Sequence, residues 1–491
     1  MDVLGGEKVL KTKEIIKLVN EDVNSPRKRY ASVGVRYYEG AHDILNYKLF
    51  YFKDGELIED TMRSNIKIPH PFFRELVDQQ VQYMLSGTDS YVKSDIQELQ
   101  QELDNYFDDE FKAELYDLIE NVVVTGSGYL YAYKSSDGAV KFQNANPMGI
   151  IEIDARDSDD GEEYIIYYYD DLTKKNNQRI RRIQVWNNRE VYYYILEGNK
   201  LKIDDTKEIN PRPHIIYSKN EDENERFFDE FGFIPFFRLD NNDKQRSNIM
   251  AIKPIIDDYD LMSCGLSNNL QDASEYIVVV NGFQGDNLDE LIENVKVKKH
   301  IGVDNGGGID FKTVNIPYEA RQTKLGLDEI NIYRFGMGFN SSLVGDGNVT
   351  NVVIKSRYAL LDLKCNKLEI RLKKFLKKLI KIVLEEINTK NETNYTVKDV
   401  YIDFTREIIT NGLDNAQIKQ IEANTKAAEI NTMLNLAETL GDETVLQNIC
   451  EILDIDIDEV RKNLPAKEDE MMEVMKDYDG QTNFTASGAS L

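Results

Sequence analysis

Tyr333-Arg334-Phe335-Gly336-Met337-Gly338-Phe339-Asn340-Ser341-Ser342-Leu343-Val344-Gly345-Asp346-Gly347-Asn348 is a break between two helical patterns. The first runs from Glu319 to Phe335, and the second, longer and laden with lysine, from Asn351 to Asn388. At 1.5 Å per residue these predict helices of about 25 Å and roughly 55 Å, the longer one with room for a kink. Gly, Asn and Ser between two such helices make a deformable polar joint, a mechanical element and not a catalytic pocket.

Working outward, Ile249 to Ser274 predicts another helix, with Ile256, Tyr259, Met262, Leu266 and Leu270 on its apolar side and Pro254 in its first turn. Between it and Glu319 lies a small β/α unit. Strands are expected at Tyr276–Val280, His300–Val303 and Ile309–Val314, the last two separated by Asn305-Gly306-Gly307-Gly308, with a short helix at Asn287–Val295. Toward the N-terminus, helices are expected at Lys8–Asp22, Phe72–Leu85 and through Asp95–Thr125. After Gly126-Ser127-Gly128, seven short Tyr- and Ile-rich runs predict an antiparallel region: Tyr129–Tyr133, Val140–Phe142, Ile150–Ile153, Tyr164–Tyr169, Ile180–Trp186, Val191–Leu196 and Lys200–Ile203. Beyond the long helix, Val397–Thr405 reads as a strand, and Asn415–Leu440 and Thr444–Asn463 as a helical end domain. The class is α+β.

The 491 residues suggest two to four domains, and 41% apolar content with 28 tyrosines fits folded cores with half-wet surfaces. The net charge of −27 argues against a protein that coats nucleic acid by neutralising phosphates. Cys264, Cys365 and Cys450 are too scattered for metal ligation and read as buried small hydrophobes. With no apolar run near 18 residues and no signal-like N-terminus, the expectation is a soluble, unexported chain.

Catalytic motifs do not appear. Gly126-x-Gly128 lacks a third glycine and the strand-to-helix context of a phosphate cradle, so a tight turn is expected. The loop at 336–347 has no Walker ending. Asp454-Ile455-Asp456-Ile457-Asp458-Glu459 imitates a calcium loop but has Glu459 where glycine and Pro465 where glutamate belong, and reads as a turn with acidic caps. His42, His70, His214 and His300 are scattered without ligand spacing, so neither a metal nor a cofactor is expected. The basic run Lys364, Lys367, Arg371, Lys373, Lys374, Lys377, Lys378, Lys381 is either a solvated helix face or a surface for acidic neighbours or a polyanion.

Three stretches together resemble the portal (head–tail connector) proteins of tailed bacteriophages: Tyr37-Tyr38-Glu39-Gly40-Ala41-His42-Asp43-Ile44, the block Asn65–Gly87 and the order of elements from Ile255 through Lys364. The resemblance spans residues 30–465. It implies a portal fold of α/β wing (1–240), stem helix 1 (241–275), small β/α clip (276–317), stem helix 2 (318–338), tunnel loop (339–350), long kinked helix with wing strand (351–412), helical crown (413–465) and disordered tail (466–491). It further implies a non-enzymatic ring, commonly of twelve subunits, at a unique capsid vertex of the virion, assembled in the host cytoplasm. Implied partners are double-stranded DNA in the channel, the terminase large subunit, head-completion or adaptor proteins, scaffold and major capsid protein, and no membrane.

By the same resemblance Asn340, Ser341, Ser342, Asn348, Thr350 and Asn351 face the channel and Asp286, Lys296, Lys298 and Lys299 belong to the partner-binding clip, while any basic grip on phosphate would have to come from Arg334, Lys355 or Arg357. The loop itself carries Asp346 and no basic residue between Gly336 and Asn351, which favours a polar collar over an electrostatic clamp. The competing readings are a nucleic-acid-processing enzyme of the packaging machinery and a scaffold unrelated to DNA.

Overall fold

The computed structural model describes residues 10–61, 63–87, 90–135, 138–158, 161–171, 180–218, 226–272, 277–283, 302–312, 317–340, 351–406, 412–437, 441–453, 455, 457 and 460. Helices and antiparallel strands divide into two compact units, Met1–Asp346 with Lys355–Ile408, and Gly347–Ile354 with Ile409–Leu491.

In the first unit, α1 (Thr12–Val23) and α2 (Pro26–Tyr38) are separated by Ser25, whose hydroxyl accepts from Lys28 N while Pro26 opens α2. α3 (Phe72–Met84) buries Phe73, Leu76, Val77, Gln80, Val81 and Met84, the stripe its spacing predicts. The helical stretch from Asp95 is two helices, α4 (Gln97–Tyr106) and α5 (Asp109–Thr125). The break falls at Asp108, whose carboxylate accepts from Phe111 N at 2.9 Å and so starts a new helix.

α5 ends on Gly126 at φ 98°, and β4 (Ser127–Lys134) leaves directly from it. A Cβ at Gly126 would lie 2.3 Å from the Gln245 carbonyl, so the turn requires glycine. Its order is helix to strand, the reverse of a phosphate cradle.

The expected antiparallel region is present. β5 (Val140–Ala145), β6 (Ile150–Ile153), β7 (Tyr164–Asp171), β8 (Ile180–Trp186), β9 (Glu190–Glu197) and β10 (Lys200–Ile203) match the seven runs together with β4. Six strands form one sheet ordered β10-β9-β8-β7-β6, with β11 (Arg212–Pro213) added on β9. A second sheet, β14-β4-β5, takes β14 (Phe236–Asp240) from beyond β12 (Ile215–Ser218) and β13 (Arg226–Asp229). Ile15 and Val19 of α1 pack on the six-stranded sheet with Ile166, Ile183 and Val185.

Besides β12–β13 and the pairing of β14 with β4, two further short pairings were not anticipated. β1 (Phe50–Lys53) and β2 (Glu56–Glu59) form an exposed hairpin, and β3 (Val92–Lys93) pairs with β17 (Tyr401–Ile402). The strand expected over Val397–Thr405 is therefore only two residues long, because Thr396 and Asp399 close a capping box that turns Val397–Asp399 into a 3-10 helix.

α6 (Lys253–Asp272) and α7 (Tyr318–Gly336) pack against each other. Between them β15 (Ile277–Phe283) pairs with β16 (Val303–Lys312). The expected pair of strands around Asn305–Gly308 is one continuous strand. Glycine permits this: a Cβ on Gly307 would sit 2.4 Å from the Asn281 carbonyl, so the backbones approach more closely than a side chain allows. The helix expected at Asn287–Val295 lies outside the described residues.

α8 (Asn351–Asn391) is a single helix of 41 residues. Leu361, Cys365, Leu368, Leu372, Phe375, Leu376, Leu379, Val383 and Ile387 are buried in the main core with α3 and α5. All three cysteines are buried and free. In the second unit α9 (Gly412–Asn435) and α10 (Asp442–Leu453) pack together, with Val445 and Cys450 buried. The calcium-loop mimic falls largely outside the described residues.

Candidate functional site

The helix pair α6–α7 and the start of the break that follows it form the candidate site. The sequence predicts an apolar stripe on α6, yet Leu270 is exposed and the buried line is Ile256, Asp260 and Cys264. An extended segment, Ser64–His70, lies along that line. Its alternate amides donate to side chains one helical turn apart: Ser64 N to Asp272 (3.3 Å), Ile66 N to Asn268 (2.7 Å), Ile68 N to Cys264 Sγ (3.2 Å) and His70 N to Asp260 (3.0 Å). Two extended residues advance about 6.7 Å, and four helical residues about 6 Å, so the two periods stay in step over this length. The strap needs acceptors on the helix, which is why polar residues occupy its buried line.

The strap ends in a buried charge cluster. Asp260 receives Nδ1 of His42 at 2.6 Å on one oxygen and Nδ1 of His70 at 2.8 Å on the other. Burial alone would raise its carboxyl, but these hydrogen bonds outweigh it and hold Asp260 below the usual range. His42 stacks on Tyr37 with centroids 4.4 Å apart, and its Nε2 faces the Tyr37 carbonyl. Tyr37 donates to Asp257, which Lys253 pairs with at 2.6 Å. Two of the four scattered histidines, His42 and His70, thus converge on one helix turn, and only the i, i+3 placing of Asp257 and Asp260 hints at it.

Lys324 of α7 bridges to Asp258 of α6 and to Asp328 on its own helix. At the far end of α7, Tyr333 donates to Glu75 of α3 at 2.6 Å. α7 closes on Met337 in the left-handed conformation, and Gly338 N returns to the Tyr333 carbonyl at 2.9 Å. Phe339 is then held at two points by Gln79 of α3, which accepts from Phe339 N at 2.9 Å and donates to Phe339 O at 2.7 Å. Its ring stacks on Tyr358 of α8 at 5.0 Å.

Asn340, next to the clamped Phe339, is buried in the subunit with its amide donating to Glu329 at 3.1 Å. Arg334 is exposed on the last turn of α7. Asn351, Lys355 and Arg357 lie in the first turns of α8. Ser341, Ser342, Asn348 and Thr350, and the clip residues Asp286, Lys296, Lys298 and Lys299, lie outside the described residues.

Lys364 of α8 donates to the Gly336 carbonyl at 2.9 Å, capping α7 from outside. It is the exception in the basic run, since burial lowers its amine to about 8. An unfolded lysine keeps its proton to about 10.4, so the penalty for the buried charge is full below pH 8 and relieved between pH 8 and 10.5. Wild type is expected to gain about 2–3 kcal/mol over Lys364→Met across that window, measured by denaturant unfolding at a series of pH values.

The geometry is that of two packed helices strapped along one side, with the start of the following break clamped onto α3 and α8. Among the described residues no group of three or more His, Cys, Asp or Glu could hold a metal, and no helix is long and apolar enough to cross a membrane. Residues 21–461 match the family "Phage portal protein, SPP1 Gp6-like", and the chain belongs to that family. It is 24% identical over 415 residues to the portal protein of Bacillus phage SPP1, covering 83% of this chain and 79% of that protein. It is 25% identical over 400 residues to the portal protein of Clostridium phage phiCD119, covering 77% and 85%. Among solved structures, a chain from the neck of a native GTA particle, computed with C12 symmetry, is 15% identical with a TM-score of 0.34, covering 63% of this chain and 76% of that one.

Proposed function

We propose that this portal-family chain is the subunit of a ring, commonly of twelve, at a unique capsid vertex of the virion, assembled in the host cytoplasm. The ring is the channel for packaging and ejecting double-stranded DNA. It docks the terminase motor and later the adaptor proteins, and meets scaffold and major capsid protein. The role is structural, not enzymatic.

The observation that carries the reading is the break after α7, rooted on α3 and α8 while its sequence is rich in Gly, Asn and Ser and has no basic residue. In this reading α6 and α7 are the stem and β15–β16 belong to the clip. Residues 339–350 form the tunnel loop, residues 1–240 and 351–412 the wing, and residues 413–465 the crown. Arg334, Lys355 and Arg357 are the nearest cations to DNA. Twelve copies would carry roughly −300 in charge, which disfavours adhesion of DNA to the walls.

Electron microscopy of the purified full chain is expected to show closed rings of fixed subunit number in class averages. Compact monomers or dimers alone, even with scaffold protein present, would defeat the reading.

A further inference from the structure

The outward face of α8 is built as a contact surface. Leu361, Leu368, Leu372, Phe375 and Leu379 fill the core side, and the opposite side carries Leu360, Leu363 and Ile370, which are 42%, 48% and 73% exposed. Leu360 and Leu361 are neighbours in sequence, but a 100° step puts only the second in the core. Lys367, Arg371, Lys374 and Lys378 follow on the same outward face at i, i+4, i+7 and i+11.

Among the described residues these four cations have no carboxylate partner, whereas Lys373 and Lys381 pair with Glu369 at 2.7 Å and Glu385 at 3.7 Å. Asp362 and Glu369, which border the face, are already engaged by Arg406. Four unpaired cations beside three exposed aliphatics are unusual in a chain of net charge −27.

We propose that this basic and apolar face of α8 binds a second copy of the chain, received by the carboxylates of α5 around Asp117 and Glu120. The proposal rests on the ring reading above and locates one of its contacts.

Charge complementarity selects the occupant. An acidic chain supplies carboxylates, and exposed aliphatics require an apolar surface to cover them, which a phosphate backbone lacks. On α5 Asp117 is exposed and has no cation partner among the described residues. Burial and the nearby Glu114 raise its carboxyl, and burial with Asp117 and Asp78 raises Glu120 even though Tyr38 donates to it. Arg74 partly offsets the charge at Glu120, and the crowding of Glu114, Asp117, Glu120 and Asp78 leaves the surface net acidic. Because the two surfaces differ, their association is head to tail, which closes into a ring when the rotation between copies divides a full turn.

The test uses the full chain carrying Arg371→Glu, Lys374→Glu and Lys378→Glu together, and separately Ile370→Asp. Native mass spectrometry and negative-stain class averages should show the ring fraction falling roughly tenfold or more in each, with circular dichroism and the melting of the subunit unchanged because these side chains are exposed. Adding Asp117→Lys and Glu120→Lys to the triple variant should restore rings. Intact rings in both the triple variant and Ile370→Asp overturn the proposal while the ring reading stands. Intact rings with impaired DNA retention give the face to nucleic acid and equally overturn it. Failure of the compensating pair overturns the assignment to α5, and a wild type that forms no ring overturns the ring reading itself.

Discussion

Asp260→Ala is expected to destabilise the first unit by about 3–5 kcal/mol, the usual cost of removing one partner from a buried charged group. The carboxylate is 1% exposed and joins three chain segments: His42 after α2, the strap at His70 through both ring and backbone amide, and α6 itself. Alanine would leave the fully buried His42 ring without its shortest acceptor and the His70 amide without its carboxylate acceptor, each a desolvation cost. Asn268→Ala removes one neutral rung of the same strap and should cost only about 1 kcal/mol, which separates loss of the charge from loss of the strap.

The pH dependence follows from the lowered carboxyl. A group whose folded pKa is depressed gives its stability above the unfolded value, about 3.9 for aspartate, and loses it as pH falls through the folded value. The gap between wild type and Asp260→Ala should therefore be full at neutral pH and shrink below about pH 4. Thermal midpoints at fixed protein concentration check this, and a gap that persists unchanged at pH 3 would show that the carboxylate charge is not what the site uses.

The same residue shows why sequence periodicity reads some elements and misses others. α3 and strands Ile150–Ile153 and Ile180–Trp186 stand where the pattern places them, because each buries its own apolar stripe against a conventional layer. α6 violates the rule: its buried line is partly polar because what covers it is bare backbone of Ser64–His70, whose amides need acceptors. No local window contains that information, since strap and helix are about two hundred residues apart in sequence. β16 shows a second limit. Asn305–Gly308 carries every mark of a turn, and β16 absorbs it as a bulge: the register shifts between Asn281↔Gly308 and Phe283↔Val303, and Gly307 passes so close to the Asn281 carbonyl that no side chain fits there. The basic run was legible only as two alternatives. Burial divides it, sending Lys364 inward to cap α7 and leaving the others outward.

Deleting Ser341–Gly347 is expected to leave rings intact and abolish packaging or genome retention, the largest functional effect anticipated for so small a change. The deletion spares the root. Phe339 keeps both bonds to Gln79 and its stack on Tyr358, Gly336 keeps Lys364, and Tyr333 keeps Glu75, so α7 still ends where it did. What is lost is a run of residues with one aspartate and no cation, able to offer hydrogen bonds in changing shapes but no fixed positive charge. In the proposed role of a polar collar that fills space around DNA, its loss should be insensitive to salt. A clamp made by Arg334, Lys355 or Arg357 would instead fail progressively as salt rises, by counterion release. Particles assembled with the deleted chain, assayed for retained DNA at low and high salt, distinguish the two. Retention equal to wild type would remove the loop from the mechanism, whereas retention lost only on charge substitution of Arg334 or Arg357 would move the grip from the loop to the helix ends that flank it.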